Sequence, residues 1–157
     1  VKPIVLSTFA LPVVAVVAIS LWSMADSAPR AGQIFAYDDP DVVARGAELY
    51  AQNCASCHGA ALEGQENWRT RLPSGVLPAP PHDPTGHTWH HSDAHLFALT
   101  KYGVAALVGQ GYESDMIGYG DVLSDAEIAA TLAYIKSTWP AEIIARHNEM
   151  NAASAAD

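Results

Sequence analysis

Two cysteines three positions apart, followed at once by a histidine, stand in the stretch NCASCHG: Cys54, Cys57 and His58. The chain has no other cysteine. Four chemistries use such a pair. A disulfide across two intervening residues suits an oxidising compartment, but it closes a very short loop and restrains the unfolded chain little. Zinc needs further ligands at suitable spacing, and no second cysteine pair exists. A C-x-x-C dithiol redox centre goes with a βαβ frame. The fourth chemistry is covalent haem attachment through C-x-x-C-H, in which each thiol adds to a vinyl group and the adjacent histidine reaches the iron. One helical turn places both sulfurs along one porphyrin edge. Compartment and fold class decide among the four.

Compartment is read from residues 3–22, PIVLSTFALPVVAVVAISLW, which carry no charge and follow Lys2. A run of about 20 apolar residues is long enough to span a bilayer. As a signal peptide it ends in Ser-Met-Ala before Asp26, an acceptable small-residue cleavage site. As an uncleaved anchor, its apolar stretch exceeds the usual core of about 7–15 residues, and this reading is preferred. Pro12 counts against neither, because spanning helices tolerate proline. With positive charge kept inside, both readings place everything after Trp22 outside the inner membrane, on the periplasmic side of a bacterium. Residues 23–39 carry Ser, Asp, Pro and Gly with little periodicity and read as a linker. Fully extended it reaches at most roughly 55–60 Å. As a flexible coil it averages about 20–25 Å. The expected plan is anchor or signal over 1–25, linker over 26–39, a compact domain over 40–140, and a helical extension with a tail over 141–157.

The compact part reads as all-α. A helix is expected from Pro40, with Asp39 as its cap and proline at the first helical position. Val42, Val43, Leu49 and Tyr50 give it an apolar side, and it runs into Cys54. Residues 59–81 form a long loop rich in Gly and Pro, a length usually tied to function. A second helix is expected over 92–102, with Gly103 ending it. A glycine-rich loop follows over 104–123. Ser124-Asp-Ala-Glu127 has the capping-box pattern, Ile128, Leu132 and Ile135 follow at helical spacing, and Pro140 lies just past the end. Residues 141–150 read as a short amphipathic extension before a frayed Ala/Ser tail. No strand signal rises above background. Loops this long leave a small domain short of core, and a bulky apolar cofactor would supply the missing centre.

An exported, all-α chain favours the haem reading of Cys54, Cys57 and His58. A six-coordinate haem needs a second axial ligand. Of the three methionines, Met24 lies in the leader and Met150 in the tail, whereas Met116 lies in the glycine-rich loop before the capped helix. That position suits a ligand that folds over the distal face. Met/His ligation favours the reduced iron and raises its potential.

Three blocks carry a family resemblance: GAELYAQNCASCHG, MIGYGDVLSDAEI and TLAYIKSTW. On these, residues 40–140 resemble a class I cytochrome c, a mono-haem fold with His/Met ligation. The resemblance implies one haem c, held by Cys54 and Cys57 and ligated by His58 and Met116. It implies that the first and last helices cross at Gly46, sealed by Tyr50 and Tyr134. It implies that a proline carbonyl accepts the ligand histidine's Nδ1–H, with Pro78, Pro80 and Pro81 as candidates. Trp68, Arg69, Arg71 and Trp89 are candidates for binding the haem propionates. The stretch PHDPTGHTWHHSDAH, with His82, His87, His90, His91 and His95, lies outside these blocks. It is expected to hydrogen-bond around the haem edge; a second copper or zinc site on His91 and His95 is the alternative.

The expected function is that of a periplasmic one-electron carrier rather than an enzyme, since no nucleophile or paired-carboxylate arrangement stands out. By resemblance, its partners are a cytochrome bc-type complex as donor and a terminal oxidase or photosynthetic reaction centre as acceptor. A haem subunit of a periplasmic dehydrogenase or oxidase complex, and a haem-based redox sensor, are the alternatives. The net charge of −9 argues against nucleic acid as a partner.

Overall fold

The computed structural model describes residues 33–156. The apolar segment 3–22, with its anchor or signal reading, lies outside the described residues. Among those described, no helix is long and apolar enough to cross a membrane.

The described chain is helical, without strands. Helix α1 spans Pro40–Asn53 and begins as its sequence dictates: the Asp39 carboxylate accepts from the backbone N–H groups of Asp41 and Val42 at 3.0 and 3.2 Å. A single turn, α2, spans Ala55–His58. A 3₁₀ turn covers Thr88–His90, and α3 covers Asp93–Tyr102. Gly103, at φ +84°, ends α3 in a conformation that favours glycine. The following segment, expected as a plain loop, contains a five-residue helix α4, Val104–Val108, closed by Gly109. Helix α5 spans Asp125–Ser137. Its capping box is complete, with Ser124 accepting from the Glu127 N–H and the Glu127 carboxylate accepting in return. Helix α6 spans Ala141–Ser154, so the extension runs past the expected end at residue 150.

Helices α1 and α5 form the centre. They cross at Gly46, where a Cβ would fall 2.7 Å from the Ala130 carbonyl carbon and 2.9 Å from Tyr134 Cβ. The absence of a side chain lets the two backbones meet. Tyr50 and Tyr134 close the crossing with ring centroids 5.5 Å apart. Around this contact Leu49, Tyr50, Ile128, Leu132, Ile135 and Trp139 are buried.

Two segments outside this centre belong to the same body. Phe35, in the stretch expected as linker, is 1% exposed and sits in the core. Helix α6 packs Ile143 and Ile144 against the core and buries His147 and Asn151. A buried polar network explains both attachments. The Asp93 carboxylate accepts from Lys136 Nζ at 3.3 Å, from Asn151 Nδ2 at 2.9 Å and from the Ile34 N–H at 2.9 Å. The Asp93 N–H donates to Asn151 Oδ1 at 2.7 Å, and His147 Nε2 donates to the His91 carbonyl at 2.8 Å. Partners from four segments satisfy each other, so these groups can be buried without a large unpaired-charge cost.

Candidate functional site: a cysteine–histidine turn and two clamped loops

Helix α1 delivers the site. Its last turn hands over to α2 through Cys54, whose N–H donates to the Tyr50 carbonyl at 2.8 Å. The N–H groups of Cys57 and His58 then both donate to the Cys54 carbonyl, at 3.1 and 2.9 Å. The two thiols are free and lie one helical turn apart. Burial, with Cys57 adding to it, pushes the Cys54 thiol up to about 11. A nucleophilic redox cysteine needs the opposite shift, toward thiolate. Among the described residues there is no strand, so the βαβ frame that goes with a dithiol redox pair is not present there. Among the described residues no group of three or more His, Cys, Asp or Glu side chains is arranged to hold a metal ion.

His58 is buried, and its Nδ1 lies 2.8 Å from the Pro80 carbonyl. A carbonyl only accepts, so Nδ1 carries the proton and Nε2 keeps its lone pair. Burial holds the imidazole below its ordinary pKa, outweighing the hydrogen bond, so the ring is neutral at pH 7. The result is an oriented nitrogen ligand whose basicity is raised by the bond on its far side. Of the three candidate prolines, Pro80 therefore accepts from His58. Glycines hold it in place: a Cβ on Gly64 would fall 2.7 Å from the Pro80 carbonyl carbon, and one on Gly86 would fall 2.8 Å from that of Pro81. Gln65 pins the preceding residue from both sides, donating to the Ala79 carbonyl at 2.9 Å and accepting from the Ala79 N–H at 2.8 Å.

Met116 is half-buried and lies in the loop before α5. That loop is clamped to the end of α3. The Tyr119 and Gly120 N–H groups donate to the Thr100 and Lys101 carbonyls, each at 2.9 Å. Gly103 and Gly118 let the two backbones touch, since a Cβ on Gly103 would fall 2.8 Å from the Gly118 nitrogen. A third tie reaches the cysteine helix: the Tyr119 hydroxyl donates to the Asn53 carbonyl at 2.8 Å, one residue before Cys54. Tyr119 was not singled out from sequence. Its place within MIGYGDVLSD, between two glycines, is the only local signal it offers.

The other sequence candidates have local partners. Arg69 lies over Trp68 at 3.9 Å, and Trp68 stacks on His87. Arg71 donates to the Gly75 carbonyl at 2.6 Å. Trp89 stacks on His90 with centroids 3.7 Å apart. His87, His91 and His95 form a chain of ring contacts, with centroids 5.4 and 5.0 Å apart. His82 behaves differently, stacking directly on His58. An indole not counted among the site candidates, Trp139, donates to the His82 carbonyl at 2.8 Å.

These residues fit a covalently attached haem. Two free thiols sit one turn apart beside a neutral imidazole with a free Nε2. Leu72, Leu77, Leu107, Val108 and Ile117 are large exposed apolar side chains on the segments between α2 and α5, surface that a bulky apolar group can cover.

Comparison with known proteins agrees. The family model for cytochrome c matches residues 43–139. The cbb3-type cytochrome c oxidase subunit FixP of Azorhizobium caulinodans is 26% identical over 94 residues. That alignment covers 60% of this chain and 28% of the relative, so the chain spans little more than a quarter of the protein it matches. No solved structure matches the chain.

Proposed function

The chain belongs to the cytochrome c family and carries covalent haem c on Cys54 and Cys57, and on that premise we propose that it is a one-electron carrier on the periplasmic side of a bacterial inner membrane. Haem-based electron transfer is common to the family; the compartment, the ligand pair and the partners are the proposal. Bound haem supplies a one-electron couple at its iron. The chain's own residues do the rest. Cys54 and Cys57 fix the group to α2, His58 offers Nε2, and the clamped loop offers Met116. The observation that carries the reading is the His58–Pro80 bond of 2.8 Å, which commits Nδ1 and leaves Nε2 for a metal. Fixed loops keep reorganisation on electron transfer small, as a carrier requires. No open ligand position remains under this reading, so the chain is not itself an enzyme.

A pyridine haemochrome spectrum of the matured protein tests the attachment. One c-type haem per chain is expected, and a haem-free mature protein overturns it. Intact mass after detergent extraction from membranes tests the tether. A mass that retains residues 3–22 supports a head held near the membrane, exchanging electrons with a cytochrome bc-type complex and a terminal oxidase or reaction centre. Cleavage after Ala25 replaces that with a diffusing carrier.

One observation favours a second reading, since the FixP relative is by name an oxidase subunit. In that case the chain is a haem subunit of a stable complex. Native mass spectrometry of the gently extracted protein separates the two, a monomer supporting the carrier and a stoichiometric assembly the subunit.

A further inference from the structure

His82 is a half-buried polar ring that stacks on the candidate ligand histidine. Its centroid lies 4.0 Å from that of His58, with the planes 23° apart. The ring is held from several directions. Its Nδ1 lies 2.8 Å from Thr88 Oγ1, and that hydroxyl points its own proton at the Pro81 carbonyl at 3.4 Å. Thr88 therefore accepts, and His82 Nδ1 donates. The His82 backbone is tied at both ends: its N–H donates to the Leu62 carbonyl and its carbonyl accepts from Trp139 Nε1, each at 2.8 Å. The Tyr50 ring meets His82 in a T-shaped contact, with centroids 6.3 Å apart. The His58 ring, for its part, has one hydrogen bond, to Pro80. Carbonyl oxygens accept over a broad range of directions, so that bond alone leaves the tilt of the ring soft. A flat neighbour at contact distance removes the freedom that remains.

We propose that His82 is a positioning residue for His58: its imidazole, stacked on the His58 ring and anchored by Thr88, sets the plane of the iron-binding imidazole. This rests on His58 being the iron ligand. Its consequence is electronic as well as steric, because the orientation of an axial imidazole sets the pattern of spin density and the magnetic anisotropy of ferric haem. A neighbour that merely filled space would leave that pattern unchanged on substitution by leucine.

The test uses the full, haem-loaded chain and three variants, His82→Leu, His82→Phe and Thr88→Val. The readouts are the ferric electron paramagnetic resonance g values and the paramagnetically shifted haem methyl protons in the NMR spectrum. His82→Leu is expected to move the largest g value and reorder or compress the methyl shifts. Thr88→Val, which frees the ring from its anchor, is expected to move both in the same direction by less. His82→Phe keeps a stacked ring and is expected to stay nearer the wild type than His82→Leu. Wild-type g values and methyl shifts in His82→Leu overturn the proposal. Should His82→Leu fail to accumulate, Thr88→Val decides on the same readouts: a shift supports the proposal and an unchanged spectrum overturns it. A wild-type protein without a low-spin, histidine-ligated spectrum overturns the ligand reading itself, a result distinct from unchanged variants of a low-spin protein.

Discussion

Gly46→Ala places a methyl group between two backbones. The new Cβ falls 2.7 Å from the Ala130 carbonyl carbon, closer still to its oxygen, and 2.9 Å from Tyr134 Cβ. None of these atoms is the end of a flexible side chain, so α1 and α5 must separate by about an ångström to restore contact distance. Overpacking of a tight core costs about 1–3 kcal/mol, more where nothing yields. Separation also loosens Leu49, Tyr50, Ile128 and Leu132, which line the crossing and contribute about 1.5–3 kcal/mol each when fully buried. Losing about a quarter of that adds roughly 2 kcal/mol. The better helix propensity of alanine returns about 1 kcal/mol. The net is a loss of about 3 kcal/mol, or a Tm lowered by about 10–20 °C at this domain size. Thermal unfolding of the haem-loaded protein, followed by circular dichroism, measures it. The offending atoms are the Ala130 main chain and Tyr134 Cβ, so adding Ala130→Gly should rescue nothing. A variant melting within about 3 °C of wild type, or rescue by Ala130→Gly, refutes the reasoning.

Three further perturbations probe the site and its frame. Met116→Ala is expected to abolish the near-infrared methionine–iron band, lower the potential and let the ferrous protein bind carbon monoxide at neutral pH; persistence of the band removes Met116 as a ligand. Tyr119→Phe deletes the hydroxyl that ties the Met116 loop to Asn53. The lost bond is worth about 1 kcal/mol, so loop opening and hence the binding rate of added imidazole to the ferric protein should rise about fivefold. Stopped-flow absorbance reads the rate, and no change means the loop is held elsewhere. Burial first, and Lys136 next, depress His147 below its ordinary 6.5. Below that value the unfolded chain takes up more protons, so stability is full above about pH 6.5 and falls as the pH drops toward the folded pKa. Urea midpoints at pH 7.5 and 5.5 should show the fall. His147→Gln should flatten it in part, since His82, His87 and His91 are depressed in the same sense.

How far the chain was legible follows from how local each device is. The Asp39–Pro40 start and the Ser124–Glu127 box act within four residues, and both formed as read. Cys54, Cys57 and His58 lie within one five-residue stretch, so their turn was legible too. Pro80 was not separable from Pro78 and Pro81, because the choice is made by Gly64 and Gly86 lying against the 80–81 backbone, a contact between distant points of one loop. Helix α4 is one turn between Gly103 and Gly109, too short for any periodicity to register. The burial of Phe35 and the docking of α6 on the core were not legible for a different reason. Charged and polar side chains are rarely buried, and nothing local in the sequence marks Asp93, Lys136, His147 and Asn151 as partners. Each is indeed unfavourable inside by itself. They become tolerable only together, because Lys136 neutralises Asp93 while Asn151 and the Ile34 N–H fill its remaining lone pairs. No window of sequence contains the set. The same reasoning says what the network does for the fold: removing one partner strands the others, so residues 33–38, α3, α5 and α6 should come apart as one unit. Asp93→Asn tests this. It should destabilise more than replacing any exposed carboxylate, and amide exchange should quicken in all four segments together; quickening confined to α3 would show that the segments are held separately.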